Sequence, residues 1–102
     1  MLTNNYRLAL LQLWVTTNAG KNLEKASKFI TEAPSGGAQI LCLPECFTLP
    51  YKSKHFPKYA ETVPGKTSEM LSRSAKENQV YLVGGTLSEL DNGKFCNTCL
   101  VY

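Results

Sequence analysis

The chain has 102 residues, a size that accommodates one domain, and we predict a single domain over residues 1–102. Apolar residues make up 43% and charged residues 19% of it, which is ordinary for a globular protein and excludes a disordered one. Eleven Lys and Arg against eight Asp and Glu give a net charge of +3, and the basic residues are scattered. Nucleic acids and anionic membranes call for clustered basic residues, so we expect neither as a partner.

No apolar run approaches the ~20 residues that cross a bilayer. The start of the chain, Met1–Arg7, lacks the charged, apolar and small-residue order of a secretory signal. We therefore predict a cytoplasmic protein. The cytosol keeps thiols reduced, so the four cysteines are expected to be thiols rather than disulfides.

The first two elements form a strand and a helix. The apolar run Tyr6–Val15 has the length, the Tyr, Trp and Val content and the continuous hydrophobicity of a strand buried on both faces. Leu and Ala are frequent in it, so a helix is the alternative. Over Lys21–Ala33, apolar residues recur at helical spacing, which predicts an amphipathic helix capped by Asn18 or Asn22.

A second strand, a loop and a second helix follow. The segment Ala38–Pro44 predicts another short buried strand that its proline ends. The polar, aromatic and proline-rich segment Glu45–Pro64 predicts a long ordered loop, and loops of this length inside compact domains are usually functional. Helical spacing returns over Thr67–Asn78, with Thr67 or Ser68 as the cap.

The last elements are strands. A third buried strand is predicted over Val80–Gly85, and Asp91–Gly93 predicts a hairpin turn because Asn-Gly supplies positive φ angles. The turn leads into a fourth strand, Lys94–Tyr102. The order β-α-β-α-β-β predicts the α/β class with parallel neighbouring strands and an added hairpin. Two helices are too few to cover both faces of this sheet, so the sequence looks cut short, and we expect the chain alone to associate through exposed apolar strands.

The run Leu43–Phe47 (LPECF) is the most informative for function. Glu45 directly follows the carboxyl end of a buried strand, where open α/β sheets bind their ligands. A carboxylate there can accept hydrogen bonds from loop amides at the rim, pair with a buried cation, or act as a base. The residues by themselves leave these three roles open.

Six segments of the chain, in the right order and with fitting gaps, together resemble the N-terminal part of nitrilase-superfamily carbon–nitrogen hydrolases, most closely the omega-amidase branch. The segments are RLALLQL at Arg7–Leu13, LPECF at Leu43–Phe47, PYKSKHFPKYAE at Pro50–Glu61, VPG at Val63–Gly65, VYLVGGTLSE at Val80–Glu89 and NTCLVY at Asn97–Tyr102. The resemblance implies the N-terminal part of a four-layer α-β-β-α sandwich. It also implies a homo-oligomer that assembles through helix-to-helix contacts in the full-length form.

The resemblance further implies hydrolysis of the terminal amide of a small dicarboxylic keto-acid amide, through a cysteine thioester, to the keto acid and ammonia. Neither a cofactor nor a metal is implied, because a thiolate and a carboxylate suffice for acyl transfer. The family's general base maps onto Glu45. The family's Lys, its nucleophilic Cys and its assisting Glu match nothing in residues 1–102, so we expect the chain alone to be inactive.

Other residues near Glu45 have weaker implications. In the family the loop after the base helps to wall the active site, which makes Tyr51 and Phe47 candidates for contact with the substrate; packing within the loop is the alternative. Cys46 matches a neighbour of the base rather than the nucleophile, and adjacent side chains on extended backbone point to opposite sides. His55, a lone histidine in a polar loop, is expected to be solvated and is given no mechanism.

The glycines and Asn97 are predicted to have structural roles. Gly84–Gly85 belong to no phosphate-binding motif and are expected to allow close packing or a bend. Asn97 is expected to bond across the hairpin or to support the site.

The cysteines define an alternative function. Cys42 and Cys46 are spaced C-x3-C, and Cys96 and Cys99 are spaced C-x2-C, which superficially suggests zinc. Against this, Cys42 falls in a buried strand, and Cys96 and Cys99 would lie on opposite faces of one. A metal or redox protein is thus one alternative, and a truncated isoform or pseudoenzyme that acts only as a binding module is another.

Overall fold

The computed structural model describes residues 4–102, so Met1–Thr3 of the segment examined for a secretory signal lie outside the described residues. In chain order the elements are β1 (Leu8–Leu10), α1 (Ala19–Glu32), a 3₁₀ helix (Ala33–Gly36), β2 (Ile40–Cys42), α2 (His55–Tyr59), α3 (Lys66–Asn78), β3 (Tyr81–Val83), β4 (Leu87–Asp91) and β5 (Lys94–Thr98). Strands β1, β2 and β3 form a parallel sheet in that order, with β2 in the centre. None of the helices described over residues 4–102 has both the length and the hydropathy that crossing a membrane requires.

Both long helices are fixed at their N-termini by side chains. The Asn18 carboxamide oxygen accepts from Lys21 N at 3.0 Å, which confirms the predicted cap of α1. At the start of α3, the Glu61 carboxylate accepts from Thr67 N at 2.9 Å and from Thr67 Oγ1 at 2.6 Å. Gly65 N donates to Ser68 Oγ at 2.8 Å. The predicted caps of α3, Thr67 and Ser68, therefore lie inside its first turn. Glu61, which precedes the helix, accepts from the backbone N–H of Thr67, which has no partner within the helix.

The core lies between the sheet and helices α1 and α3. Leu41 of β2 and Leu82 of β3 are fully buried and point to the same face of the sheet. Against them pack Ala26, Ile30, Met70, Leu71 and Ala75 from the two helices. Burying each large apolar side chain contributes about 1.5–3 kcal/mol, so this one layer accounts for much of the stability of the chain.

The opposite face of the sheet is uncovered in the described part of the chain. We call it the open sheet face, and its residues are Leu8, Leu10, Ile40, Cys42, Tyr81 and Val83. Leu10 is 75% exposed and Tyr81 is 54% exposed. The prediction of strands buried on both faces is thus wrong for residues 4–102: both faces are apolar, but helices cover only one.

The first strand is also shorter than its apolar run. Pairing with β2 covers only β1 of the predicted Tyr6–Val15 strand, and the helical alternative is not observed. Beyond β1, Leu11 is buried and Leu13 packs against the core, whereas Trp14 is 82% exposed. The hydrophobic pattern therefore predicted the type of element but overestimated its length.

The predicted hairpin is present as a separate two-stranded sheet. Asn92 and Gly93 both have positive φ, and Asp91 pairs with Lys94, which confirms the two-residue turn. Its first strand, β4, and the short helix α2 add to the predicted element order. The predicted strand Lys94–Tyr102 divides in two: its first half is β5, and Tyr102 instead pairs with Leu82, whose N donates to Tyr102 O at 2.7 Å.

The hairpin is tied to the long loop. Glu61 N donates to Ser88 O at 3.0 Å, and Leu90 N donates to Glu61 O at 2.9 Å. Ser88 Oγ donates to Phe56 O at 2.7 Å. These bonds fix the position of the hairpin relative to the segment that follows β2.

Candidate active site

Glu45 lies in a turn just beyond the carboxyl end of β2, the central strand. The turn spans residues 45–48, and Cys46 has a φ of +55°, a left-handed conformation uncommon for a residue other than glycine. Residues 46–49 are buried, whereas Glu45 is exposed. The carboxylate therefore projects from a turn whose other side chains are packed inside the protein.

Three contacts hold this turn in place. The Phe47 side chain is fully buried in the core. The Asn22 carboxamide, buried on α1, donates to Thr48 O at 3.2 Å. Cys46 N donates to Thr86 Oγ1 at 2.8 Å, which connects the turn to the segment between β3 and β4. The turn is thus attached to the core, to α1 and to the connection into the hairpin.

Asn97 of β5 makes the contact with the Glu45 carboxylate. Asn97 Nδ2 donates to Glu45 Oε1 at 2.9 Å, across a separation of 52 residues in the sequence. The partner is a side-chain amide of the hairpin, which is neither a loop backbone amide nor a cation. The hairpin thus binds one oxygen of the Glu45 carboxylate, Oε1, and the second oxygen is not part of this hydrogen bond.

Glycine at position 85 lets the β3–β4 connection approach the Glu45 turn. Gly85 has a φ of +59°, and a Cβ at this position would lie 2.1 Å from Pro44 O. At Gly84, a Cβ would lie 2.7 Å from Leu71 Cδ1 and 2.8 Å from Leu100 O. These distances confirm the predicted close packing, and they show that Gly85 is what allows Thr86 to reach the turn.

The Cys46 side chain is 1% exposed, so it does not share a surface with the exposed Glu45 carboxylate. Burial raises the pKa of the Cys46 thiol above its ordinary value, and the neighbouring Glu45 charge raises it further, while the hydrogen bond from Thr86 lowers it. A protonated, buried thiol is a poor nucleophile. The backbone here is a left-handed turn rather than the extended chain expected from the sequence, and it leaves the thiol buried and the carboxylate exposed.

We expect Cys46 to resist alkylation in the native chain. With iodoacetamide at about pH 7.5, exposed Cys99 should be labelled at least tenfold faster, because only a solvent-accessible thiolate reacts. Peptide mass spectrometry over a time course measures both rates, and a denatured sample in which both label is the control. Labelling of Cys46 as fast as Cys99 in the native state would contradict this assignment.

The two residues predicted to contact substrate have different environments. Tyr51, in the loop after the turn, is 71% exposed and is available to a ligand. Phe47 is fully buried and supports the turn from inside. Contact of either ring with a substrate stays a prediction.

His55 begins α2 and is partly buried, packed edge-on against Tyr59 with ring centroids 5.6 Å apart. Desolvation lowers the pKa of His55 below its ordinary value, and three neighbouring lysines lower it further. These are Lys54, Lys58 and Lys52. The ring is therefore neutral at physiological pH, and it packs against Tyr59 on one side while part of it stays exposed to solvent.

All four cysteines are free, and Cys42 lies in β2 while Cys46 lies in the core. Among residues 4–102, no three or more His, Cys, Asp or Glu side chains are grouped closely enough to hold a metal ion. The zinc alternative therefore finds no support in the described part of the chain.

Sequence reasoning missed two residues that shape the site. Thr86 could have been noticed, because it follows two glycines at the carboxyl end of a strand, where site residues collect in such sheets. Asn22 was predicted only as a possible helix cap; it lies instead within the first turn of α1 and bonds to both Thr16 O and Thr48 O. No local sequence pattern indicates such a long-range bond.

The three-stranded parallel sheet with its helices defines an α/β protein, and the Glu45 carboxylate lies at the edge of the sheet where such proteins bind ligands. A family model described as carbon-nitrogen hydrolase matches residues 7–102. The chain therefore belongs to the carbon–nitrogen hydrolase family.

Two curated relatives make the relationship more specific. The chain is 53% identical over 97 residues to omega-amidase NIT2-B of Xenopus laevis, a match that covers 95% of this chain and 35% of that protein. It is 48% identical over 98 residues to human omega-amidase NIT2, covering 96% of this chain and 36% of that protein. The chain thus spans about a third of the length of the curated relatives it matches.

Solved structures agree on the fold. Nit3 of Saccharomyces cerevisiae, a member of branch 10 of the nitrilase superfamily, matches with a TM-score of 0.87 and 33% identity over 95% of this chain and 39% of its own. The CN-hydrolase superfamily protein XC1258 of Xanthomonas campestris matches with a TM-score of 0.82 at 18% identity, over 98% of this chain and 40% of its own. The predicted class, α/β and part of a nitrilase-type sandwich, is confirmed.

Proposed function

We propose that this chain provides the general base of an omega-amidase-type hydrolase, and that the base is Glu45. The observation that carries the proposal is the Glu45 carboxylate itself, which projects beyond the carboxyl end of the central strand and is held at 2.9 Å by Asn97. The names of the relatives support an amide as the substrate. The proposed substrate is the terminal amide of a small dicarboxylic keto acid.

The proposed chemistry is acyl transfer through a thioester. A cysteine thiol of the longer polypeptide loses its proton to Glu45 and attacks the amide carbon. The lysine of the family stabilises the oxyanion that forms. Glu45 returns the proton to the leaving nitrogen, ammonia departs, and a thioester remains. Glu45 then deprotonates a water molecule that attacks the thioester, the keto acid is released, and Glu45 passes the proton to the departing thiolate, so that base and thiol are both regenerated.

Further parts of the proposal concern the whole protein. Tyr51, which is exposed in the loop that follows the Glu45 turn, would contact the substrate, and Phe47 would contribute to the wall beneath it. The full-length enzyme would act as a homo-oligomer in the cytoplasm. In the proposed mechanism, the lysine and the nucleophilic cysteine of the family are supplied by residues outside these 102.

A chimera tests the proposal. The present chain replaces the matching 97-residue segment of omega-amidase NIT2-B of Xenopus laevis, and the rest of that relative would supply the remaining groups. We expect the chimera to release ammonia from a keto-acid amide, at a rate within about tenfold of the Xenopus enzyme. We expect the 102-residue chain alone to release none. Coupled assay of ammonia measures both.

Two outcomes contradict the proposal. A folded chimera that does not release ammonia would show that this chain cannot provide the base, and would favour the non-catalytic binding module. Turnover by the 102-residue chain alone would show that the nucleophile lies within it. Circular dichroism and size-exclusion chromatography of the chimera, compared with the Xenopus enzyme, establish that it is folded.

A further inference from the structure

We propose that Asn97 is a positioning residue for Glu45, and that the hairpin of β4 and β5 sets the direction of the base. This inference rests on the proposed function of Glu45. Its starting point is the bond from Asn97 Nδ2 to Glu45 Oε1, at 2.9 Å.

The chemistry of the two groups makes the bond directional. The NH₂ group of the Asn97 side chain can only donate. It binds one oxygen of the Glu45 carboxylate, and the other oxygen takes no part in this hydrogen bond. A base that serves both a sulfur and a leaving nitrogen must present its accepting oxygen at hydrogen-bond distance to each. A glutamate has three rotatable side-chain bonds, and the contact with Asn97 restricts them.

The support for Asn97 is itself fixed. Asn97 pairs with Ser88 in the hairpin, and Ser88 Oγ donates to Phe56 O at 2.7 Å. Behind Glu45, Cys46 N donates to Thr86 Oγ1 at 2.8 Å. The segment that enters the hairpin thus holds the backbone of the turn, and the hairpin itself holds the carboxylate.

Because both side chains are exposed, the effect of Asn97 on the orientation of Glu45 can be measured separately from its effect on the stability of the fold. Glu45 and Asn97 are exposed, so the bond between them competes with water and adds little to the free energy of unfolding. Removing the Asn97 amide should therefore leave the melting temperature within about 2 °C, because surface substitutions cost little. A loss of activity in such a variant cannot then be attributed to unfolding.

The first arm of the test uses the 102-residue chain labelled with ¹⁵N on asparagine. The Asn97 side-chain NH₂ resonances should shift when Glu45→Ala is introduced, whereas those of Asn92, at the tip of the same hairpin, should not. Unchanged Asn97 resonances would overturn the inference.

The second arm uses the NIT2-B chimera and separates kcat from KM. We expect Asn97→Ala to lower kcat about tenfold, with KM within about twofold. Asn97→Asp, which replaces the donor with a second carboxylate, should lower kcat further, and Asn97→Gln, which retains the amide, should recover most of it. Thr98→Ala is the matched control: it removes the 2.8 Å bond from Thr98 Oγ1 to Glu89 on the same hairpin, and should keep parental kcat.

The outcomes distinguish this inference from the proposed function. Parental kcat in Asn97→Ala, within an active chimera, overturns the positioning role and leaves Glu45 as the base. Equal loss in Asn97→Ala and Thr98→Ala assigns the effect to the hairpin fold and also overturns it. An inactive parent chimera counts against the proposed function, and the Asn97 resonances of the first arm then decide whether Asn97 holds Glu45.

Discussion

Glu45→Gln should lower kcat/KM of the chimera for a keto-acid amide by about 10³-fold. The substitution keeps the shape of the side chain and can still accept from Asn97, but it cannot take up a proton. General acid–base catalysis by a positioned side chain contributes about 10²–10⁴-fold, and Glu45 is proposed to act in both half-reactions. Steady-state ammonia release, with protein concentration corrected for folded fraction, is the measurement.

The matched control for this loss is Glu69→Gln. Glu69 is an exposed carboxylate in the first turn of α3, so its substitution removes the same charge at a different place. The control should keep activity within about twofold, since surface substitutions of this kind rarely disturb a structure. Comparable activity of the Glu45→Gln and Glu69→Gln chimeras would exclude Glu45 as the base.

Gly85→Ala should destabilise the chain by about 3 kcal/mol or more. The new Cβ would lie 2.1 Å from Pro44 O, a backbone atom that cannot move without displacing the Glu45 turn. The φ of +59° adds a further cost of about 1–2 kcal/mol for a residue with a Cβ. Urea unfolding monitored by circular dichroism measures the loss as a lower midpoint.

Gly36→Ala provides the control for that experiment. Gly36 ends the 3₁₀ helix and does not have a positive φ, and a Cβ added there would meet no neighbouring atom within 4 Å. Its substitution should leave stability within about 1 kcal/mol, or raise it slightly through the unfolded chain. Equal midpoints for the Gly85→Ala and Gly36→Ala variants would show that the close approach to Pro44 is not required.

The two long helices, α1 and α3, and the turn of the hairpin could be predicted because local chemistry specifies them. Asn18 caps α1 from the adjacent residue, and Asn92–Gly93 adopt the positive φ angles that a two-residue turn demands. The helix cap and the hairpin turn each depend on residues that are close to one another in the sequence. Short-range patterns are reliable where short-range forces decide the structure.

The faces of the sheet could not be predicted in the same way. The apolar run around β1 indicates a strand suited to burial on both sides, yet Leu10 is 75% exposed while Leu41 of the adjacent strand is fully buried on the other face. The hydrophobicity of a side chain shows that it can be buried, but it does not show which element will cover it. That element is determined by the tertiary arrangement of distant parts of the chain. The same limit explains the overlong Tyr6–Val15 strand.

The residues Glu45 and Asn97 of the candidate site could be named from the sequence, but the long-range contact between the two could not. Glu45 directly follows a strand, and open α/β sheets bind ligands at the carboxyl ends of their strands. The position of Glu45 at this edge could therefore be predicted from the sequence. Its contact with Asn97 spans 52 residues, and no local pattern carries information over that distance. Asn97 was expected to bond across the hairpin or to support the site, but its partner could not be assigned from the sequence.

Chemical rescue tests the role of Glu45 most directly. In the Glu45→Ala chimera the carboxylate is replaced by a small space, which formate can enter as an external base. We predict that ammonia release is lost in this variant and returns in proportion to added formate, while formate leaves the parent chimera unchanged. Parental activity of the Glu45→Ala chimera without formate would contradict the account, because proton transfer would then not depend on this carboxylate.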